Sequence, residues 1–266
     1  VALAGGGPVS LATRAVVLAA GESREVALRL PATPAEPLAV TADLSTAEGW
    51  RLAVQDVLLP GGVARLPAAP VLDGTLTGWD GATRLLLADR RQYTVAAGQA
   101  VWRDPHDLAA VVHLGWCSEG LCVAVEVRDD VFCQRLLDEQ VWQGDSVQFA
   151  VAPGAAGAER LEVGLARTPQ GDRWFVYSSL GQGDPKALPP IRFTSRPSGQ
   201  GGGLTYEALI PWERLPGVTP AAGTRCRFSL LVNENDGTGR RGWLHAFDGI
   251  GWSKDPSQYG EMVLQP

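Results

Sequence analysis

Apolar and polar residues alternate with a period of two along most of this chain, the pattern of strands with one buried face. Val26, Leu28 and Leu30 alternate with Ala27 and Arg29; Leu38, Val40 and Ala42 repeat the pattern, and Leu52 and Val54 follow Trp50. Turn-like stretches at 31–34 and 45–49 separate them. Residues 1–60 therefore read as a β-rich, partial sandwich-like segment, too few strands for a comfortable sandwich of its own. Pro60-Gly61-Gly62 and Pro67-Ala68-Ala69-Pro70 carry linker chemistry, which places a linker over 61–69.

From residue 70 the alternation sharpens. Val112, Leu114 and Trp116 make one face, and Leu121, Val123, Val125 and Val127 make another after a turn. Val147/Phe149/Val151, Leu161/Val163/Leu165, Trp174/Val176, Tyr206/Ala208/Ile210 and Phe228/Leu230/Val232 continue the series. A short helical turn is expected only over 211–215. The prediction is an all-β chain, with an antiparallel β-sandwich (jelly-roll or immunoglobulin-like) over 70–266 and one wet side on each sheet.

Composition narrows the function. With 32 glycines and 19 prolines in 266 residues, long helices are excluded. A net charge of −6 offers no footprint for nucleic acid or anionic lipid, and no window of 18 apolar residues spans a bilayer. The first residue is Val1 and no charged n-region with an apolar core precedes a cleavage site, so the chain is expected to be a mature or excised piece of something longer. Cys117, Cys122, Cys133 and Cys226 lack paired zinc spacing. Cys117 and Cys122 flank a predicted hairpin turn and point away from its apolar face, which leaves a cross-strand disulfide or two inert thiols open.

Several blocks in fixed order then carry a resemblance: Pro-Val-Leu-Asp-Gly at 70–74 with Trp79, Asp107-Leu108 leading to Leu114-Gly-Trp116, and the strand from Leu121 to Asp130. Trp142-Gln-Gly-Asp-Ser-Val-Gln148, Tyr206 to Trp212, Leu231 to Gly237 and Lys254-Asp-Pro256 before Gly260 complete it. Over about 70–264 the chain resembles the family 9 carbohydrate-binding module and its DOMON-like relatives. The resemblance implies a secreted, cell-surface or periplasmic, non-catalytic β-sandwich that binds polysaccharide or oligosaccharide for an attached glycoside hydrolase in a longer chain. It also implies two tryptophans clamping a sugar end, here Trp142 and Trp252, with Gln148, Glu162 and Leu231 at the positions of the family's polar readers. Leu231 cannot donate or accept a hydrogen bond. For the two tryptophans the alternative is core packing; for Gln148 and Glu162 it is plain solvation on the outward strand face. An aromatic plane buries the C–H face of a pyranose, and side-chain amides and carboxylates read its hydroxyl rim.

Asp129, Asp130 and Asp145 sit at strand ends beside the acidic turn 233–237, oxygen ligands of the kind calcium takes, although no complete calcium-loop spacing is present. The resemblance likewise implies structural calcium. No nucleophile elbow, zinc-protease motif or phosphate loop points to catalysis. Two further readings stay open. One is a sugar-blind spacer module of a large extracellular protein. The other is a haem-binding DOMON-type electron-transfer domain, for which the single methionine, Met262, is placed by the terminal strand pattern in the core instead.

Overall fold

The computed structural model describes residues 17, 19, 38–46, 48–49, 51–58, 61–99, 101–154, 157–181, 184, 186–198, 202–215 and 217–266, with backbone alone for 38–44 and 52–58. The chain divides into two compact units, Val1–Pro60 and Gly61–Pro266. In the first, β1 (Leu38–Ser45) and β2 (Arg51–Leu58) pair antiparallel from Leu38↔Leu58 to Ser45↔Arg51. The strand expected over 26–30 lies outside the described residues.

The second unit is one mixed β-sheet, and among its described residues the only helical elements are short 3-10 turns. One run joins β10 (Gly171–Leu180), β9 (Arg160–Thr168), β8 (Ser146–Pro153), β13 (Arg225–Glu234) and β15 (Gly260–Leu264). The other joins β6 (Leu108–Trp116), β7 (Gly120–Asp129), β12 (Leu204–Pro211) and β11 (Arg192–Pro197). β4 (Thr83–Leu87) pairs with β6, and β14 (Gly242–His245) pairs with β13 and with β5 (Tyr93–Val95). The strands of clean alternation are those expected, and the turn after Pro211 is a 3-10 turn over Trp212–Arg214.

The pairing is not purely antiparallel. β3 (Gly62–Arg65) runs parallel to both β15 and β6 and stitches the two runs together. This corrects the linker expected over 61–69. Although Gly-Gly and Pro flank it, Val63 and Leu66 are buried, and Leu66 N–H donates to the Trp116 carbonyl at 2.8 Å. Two apolar side chains and ladder bonds outweigh the flexibility that the glycines confer.

The expectation of a wet outer face is also corrected. β8 and β12 are buried at nearly every position because polypeptide folds over both outer faces. Leu66 and Trp79 cluster with Cys117, Cys122, Ala124 and Leu209, with Leu72 and Leu76 packed against them. Gly115 leaves the room that Leu66 fills; a Cβ there would come within 2.6 Å of it. The buried Glu207 carboxylate pins this cover by accepting the N–H groups of Gly74 at 2.5 Å and Leu76 at 2.8 Å. Over the other run, Trp243, Ile250 and Tyr259 cover Ala150, Ala152 and Leu231. The main core lies among Leu85, Leu114, Val163 and the stacked Phe149 and Phe228 rings, 6.4 Å apart. Met262 is fully buried, opposite Cys226 in the ladder.

Cys117 and Cys122 thus belong to a second apolar cluster. Their thiols are free, with sulfurs 4.0 Å apart.

Candidate functional site

A 3-10 turn over Glu139–Gln143 presents Trp142. The Asp138 carboxylate caps it by accepting the Gln140 N–H at 3.0 Å, and Val141 is buried beneath, which turns the next side chain outward. Trp142 is 37% exposed. Trp252 stands on the loop after β14 and is 69% exposed. Both indoles therefore reach the surface, but among the described residues no ring contact joins them.

Arg240 and Trp243 link them instead. The Arg240 guanidinium lies 5.3 Å from the Trp142 ring centroid and 4.0 Å from that of Trp243. The Trp243 ring is 5.2 Å from that of Trp252, tilted by 59°. A cavity of about 110 Å³, lined by Leu231, Trp243, His245, Trp252 and Gln258 among others, opens beside this row. Trp243 itself is buried, so the surface that can stack flat, partly apolar ligands is that of Trp142 and Trp252, with the Arg240 cation between.

The two polar candidates do not face solvent. Gln148 is buried on β8, and its Oε1 accepts from Asn233 Nδ2 at 3.3 Å. Glu162 is buried on β9 and ion-paired with the ammonium of Lys254. Lys254 holds a left-handed backbone, φ 50°, which β-carbon sterics disfavour, and its Nζ also lies 6.0 Å from the Tyr177 ring. Leu231 sits in the buried cluster with Trp243. The alternation that set these residues on the outer face holds; the cover over that face hides them.

The acidic residues fall into two groups. Asp129 and Asp145, both buried, gather with Glu234, one carboxylate oxygen of each lying within 4.8 Å of the others. Asp130 is not among them. Following Asp129 at the end of β7, it turns outward, pairs with Arg103 at 2.6 Å, and belongs to a group with Asp107, Glu234 and Asp236. That second group already holds a cation: Arg241 Nη1 reaches Asp107 at 3.3 Å, Glu234 at 3.0 Å and also Asp236. Burial would raise the Asp107 carboxyl, but Arg103 and Arg241 hold it below its usual range.

In the first group only Glu234 reaches a cation, the shared Arg241; among the described residues Asp129 and Asp145 make no ion pair. Burial, then the neighbouring acidic charges, pushes Asp129 up to about 7 and Glu234 up to about 10; Asp145 is raised too. Asp145 accepts the N–H of Cys133 and, at 2.7 Å, that of Asn235, yet each oxygen keeps a free lone pair. Glu234 Oε2 and Asn233 Oδ1 are buried acceptors without a hydrogen-bond partner. Asp129, Asp145 and Asn233 line a cavity of about 10 Å³, room for one water or one ion. Hard oxygen donors, excess negative charge and an ion-sized space fit calcium. Sequence reasoning identified Asp129 and Asp145 but missed Glu234, although it lies in the acidic turn already singled out. Arg240 gave no signal beyond the glycine-rich turn that precedes it.

The model of a family described as carbohydrate family 9 binding domain-like matches residues 79–266. Among solved structures, the fold is similar to a family 9 carbohydrate-binding module from Caldicellulosiruptor kristjanssonii in complex with cellotriose. The two are 22% identical, the match covers 77% of this chain and 92% of that one, and the TM-score is 0.56. The glucose complex of a family 9 module from the same organism gives the same identity and TM-score, with 95% of that chain covered. A candidate carbohydrate-binding protein from Bacteroides uniformis is 13% identical, with 77% of this chain and 98% of that one covered and a TM-score of 0.52. No curated protein matches the chain.

Proposed function

Because this chain belongs to the carbohydrate family 9 binding domain-like family, we propose that it binds saccharides, without catalysis, on the exposed indoles of Trp142 and Trp252, which the buried Trp243 connects. The observation that carries the reading is the pair of exposed indoles at the two ends of that row, 37% and 69% accessible. Large aromatic surface left in water is unfavourable unless a ligand covers it. Trp142 and Trp252 act as the two stacking walls for pyranose C–H faces, with the cavity beside Trp252 receiving a hydroxyl edge. Neutral hydrogen bonds contribute about 1 kcal/mol each, so a micromolar to millimolar Kd, about 4–8 kcal/mol, is the expected range. The C. kristjanssonii modules bound to cellotriose and glucose support an oligosaccharide as ligand.

The biological role in this reading is tethering. A secreted hydrolase joined to such a module is held near its polysaccharide, and effective concentration replaces diffusion. Asp129, Asp145 and Glu234 hold a structural calcium that neutralises their mutual repulsion and fixes the turn after β13.

A sugar-blind spacer is the second reading, favoured by the burial of Gln148, Glu162 and Leu231. Titration with cellotriose, glucose and soluble β-glucans under tryptophan fluorescence separates the two. A saturable shift that Trp142→Ala abolishes supports binding; silence across a broad glycan panel supports the spacer.

A further inference from the structure

Arg240 and Arg241 are neighbours in sequence with opposite surroundings. Arg241 engages three carboxylates. Arg240 Nε and Nη2 are buried and have no hydrogen-bond partner. These two atoms form one edge of the guanidinium, the edge that takes a carboxylate with two parallel N–H···O bonds. The ring faces of Trp142 and Trp243 are what the cation touches instead, and burial lowers its pKa to about 10. A desolvated cation is ordinarily matched by an anion, because removal from water costs more than stacking returns. Glu162, an acid near this face, is already taken by Lys254, and among the described residues no carboxylate pairs with Arg240.

Resting on the saccharide-binding reading above, we infer that Arg240 makes this face selective for saccharides that carry a carboxylate, that is, uronic-acid residues. A neutral pyranose stacking on Trp142 competes with the guanidinium for the ring and leaves Nε and Nη2 still unpaired. An acidic pyranose stacks on the indole and supplies the missing acceptor to the same edge after a side-chain rotation of Arg240, which follows Gly239 in a turn. Lys254, whose Nζ lies 6.0 Å from the Tyr177 ring, is already paired with Glu162, which leaves Arg240 as the cation available to the anion.

The test is calorimetric titration of the full chain with oligosaccharides of glucuronate and of galacturonate, each beside its methyl ester, and with cellotriose. Charge-assisted pairing predicts that at least one free acid binds about tenfold or more tightly than its ester, with the advantage shrinking as salt is raised. Arg240→Gln should remove that advantage, and Arg240→Lys, which keeps the charge without the fork, should retain only part of it. Unchanged near-ultraviolet circular dichroism would verify that the variants are folded. Cellotriose binding with acids and esters indistinguishable, or an acid preference that survives Arg240→Gln, overturns the inference alone. Absence of binding to every saccharide overturns the underlying reading as well.

Discussion

Returning calcium to chelated protein should raise its melting temperature clearly at pH 8 and much less at pH 5. The reasoning starts from Asp129, Asp145 and Glu234, which gather in a buried space where the one neighbouring cation, Arg241, reaches Glu234 alone and is shared with Asp107 and Asp236. Moving Asp129 from 3.8 up to about 7 corresponds to at most about 4 kcal/mol of disfavoured charge at high pH. The sign follows from proton counting. The folded chelated protein keeps protons that the unfolded chain releases, so stability is highest near pH 4–5 and falls as pH rises toward about 7 for Asp129 and about 10 for Glu234. A divalent ion binding the deprotonated folded state adds about 2.7 kcal/mol at a hundred times its Kd. For a unit of about 200 residues this becomes about 5–10 °C. At pH 5 protons compete for the same oxygens and the gain shrinks. Differential scanning fluorimetry after EDTA treatment, with and without calcium, measures all of this. Glu234→Gln keeps an acceptor for Arg241 but removes a carboxyl that the chelated fold must hold protonated at pH 8; it should raise the melting temperature of chelated protein there and weaken the calcium response. A calcium-independent melting temperature, or chelated protein that melts higher at pH 8 than at pH 5, would refute the argument.

Three further outcomes are expected. Trp252→Ala should weaken oligosaccharide binding about tenfold without shifting the melting temperature by more than about 2 °C, since its ring is mostly in water; isothermal titration and fluorimetry give the two numbers. Lys254→Ala leaves the buried Glu162 carboxylate without its cation and should cost about 1–2 kcal/mol in urea unfolding, while Glu162→Gln with Lys254→Ala should recover part of it. Burial raises the Cys122 thiol and pushes Cys226 up to about 12, so a disulfide reagent at pH 8 should label the half-buried Cys133 first and those two only after denaturant is added.

The strands whose sequences alternate regularly, β6 to β10, β12 and β13, were legible from that alternation. The short strands β3, β4, β5 and β14 were not, because three to five residues carry too little period to rise above loop sequence. β11 is largely polar and relies on β12 for its ladder. The larger departure concerns faces. Alternation correctly set Gln148 and Glu162 opposite Phe149 and Val163, but nothing local announces that 243–259 folds over that side and dries it. At the site, the polar flanks of Trp142 and Trp252 agree with their exposure. The stacking of Arg240 on Trp142 is a contact across nearly a hundred residues of chain, and no motif encodes it.

The stitching strand decides where this module can be cut. A fragment begun at Pro70, where the prolines invite a boundary, or at Trp79, where the family match starts, discards Val63 and Leu66 and with them the bonds from Val263 N–H to Gly61 and from Gln265 N–H to Val63, both 2.8 Å. The end of β6 at Gly115–Trp116, beyond the reach of β4, and the flank of β15 would then stand open, two raw seams ready to zip onto neighbouring molecules. Expression from Gly61 onward keeps that closure, so a soluble product from residue 61 beside an aggregating one from residue 70 is the practical signature of a hidden strand.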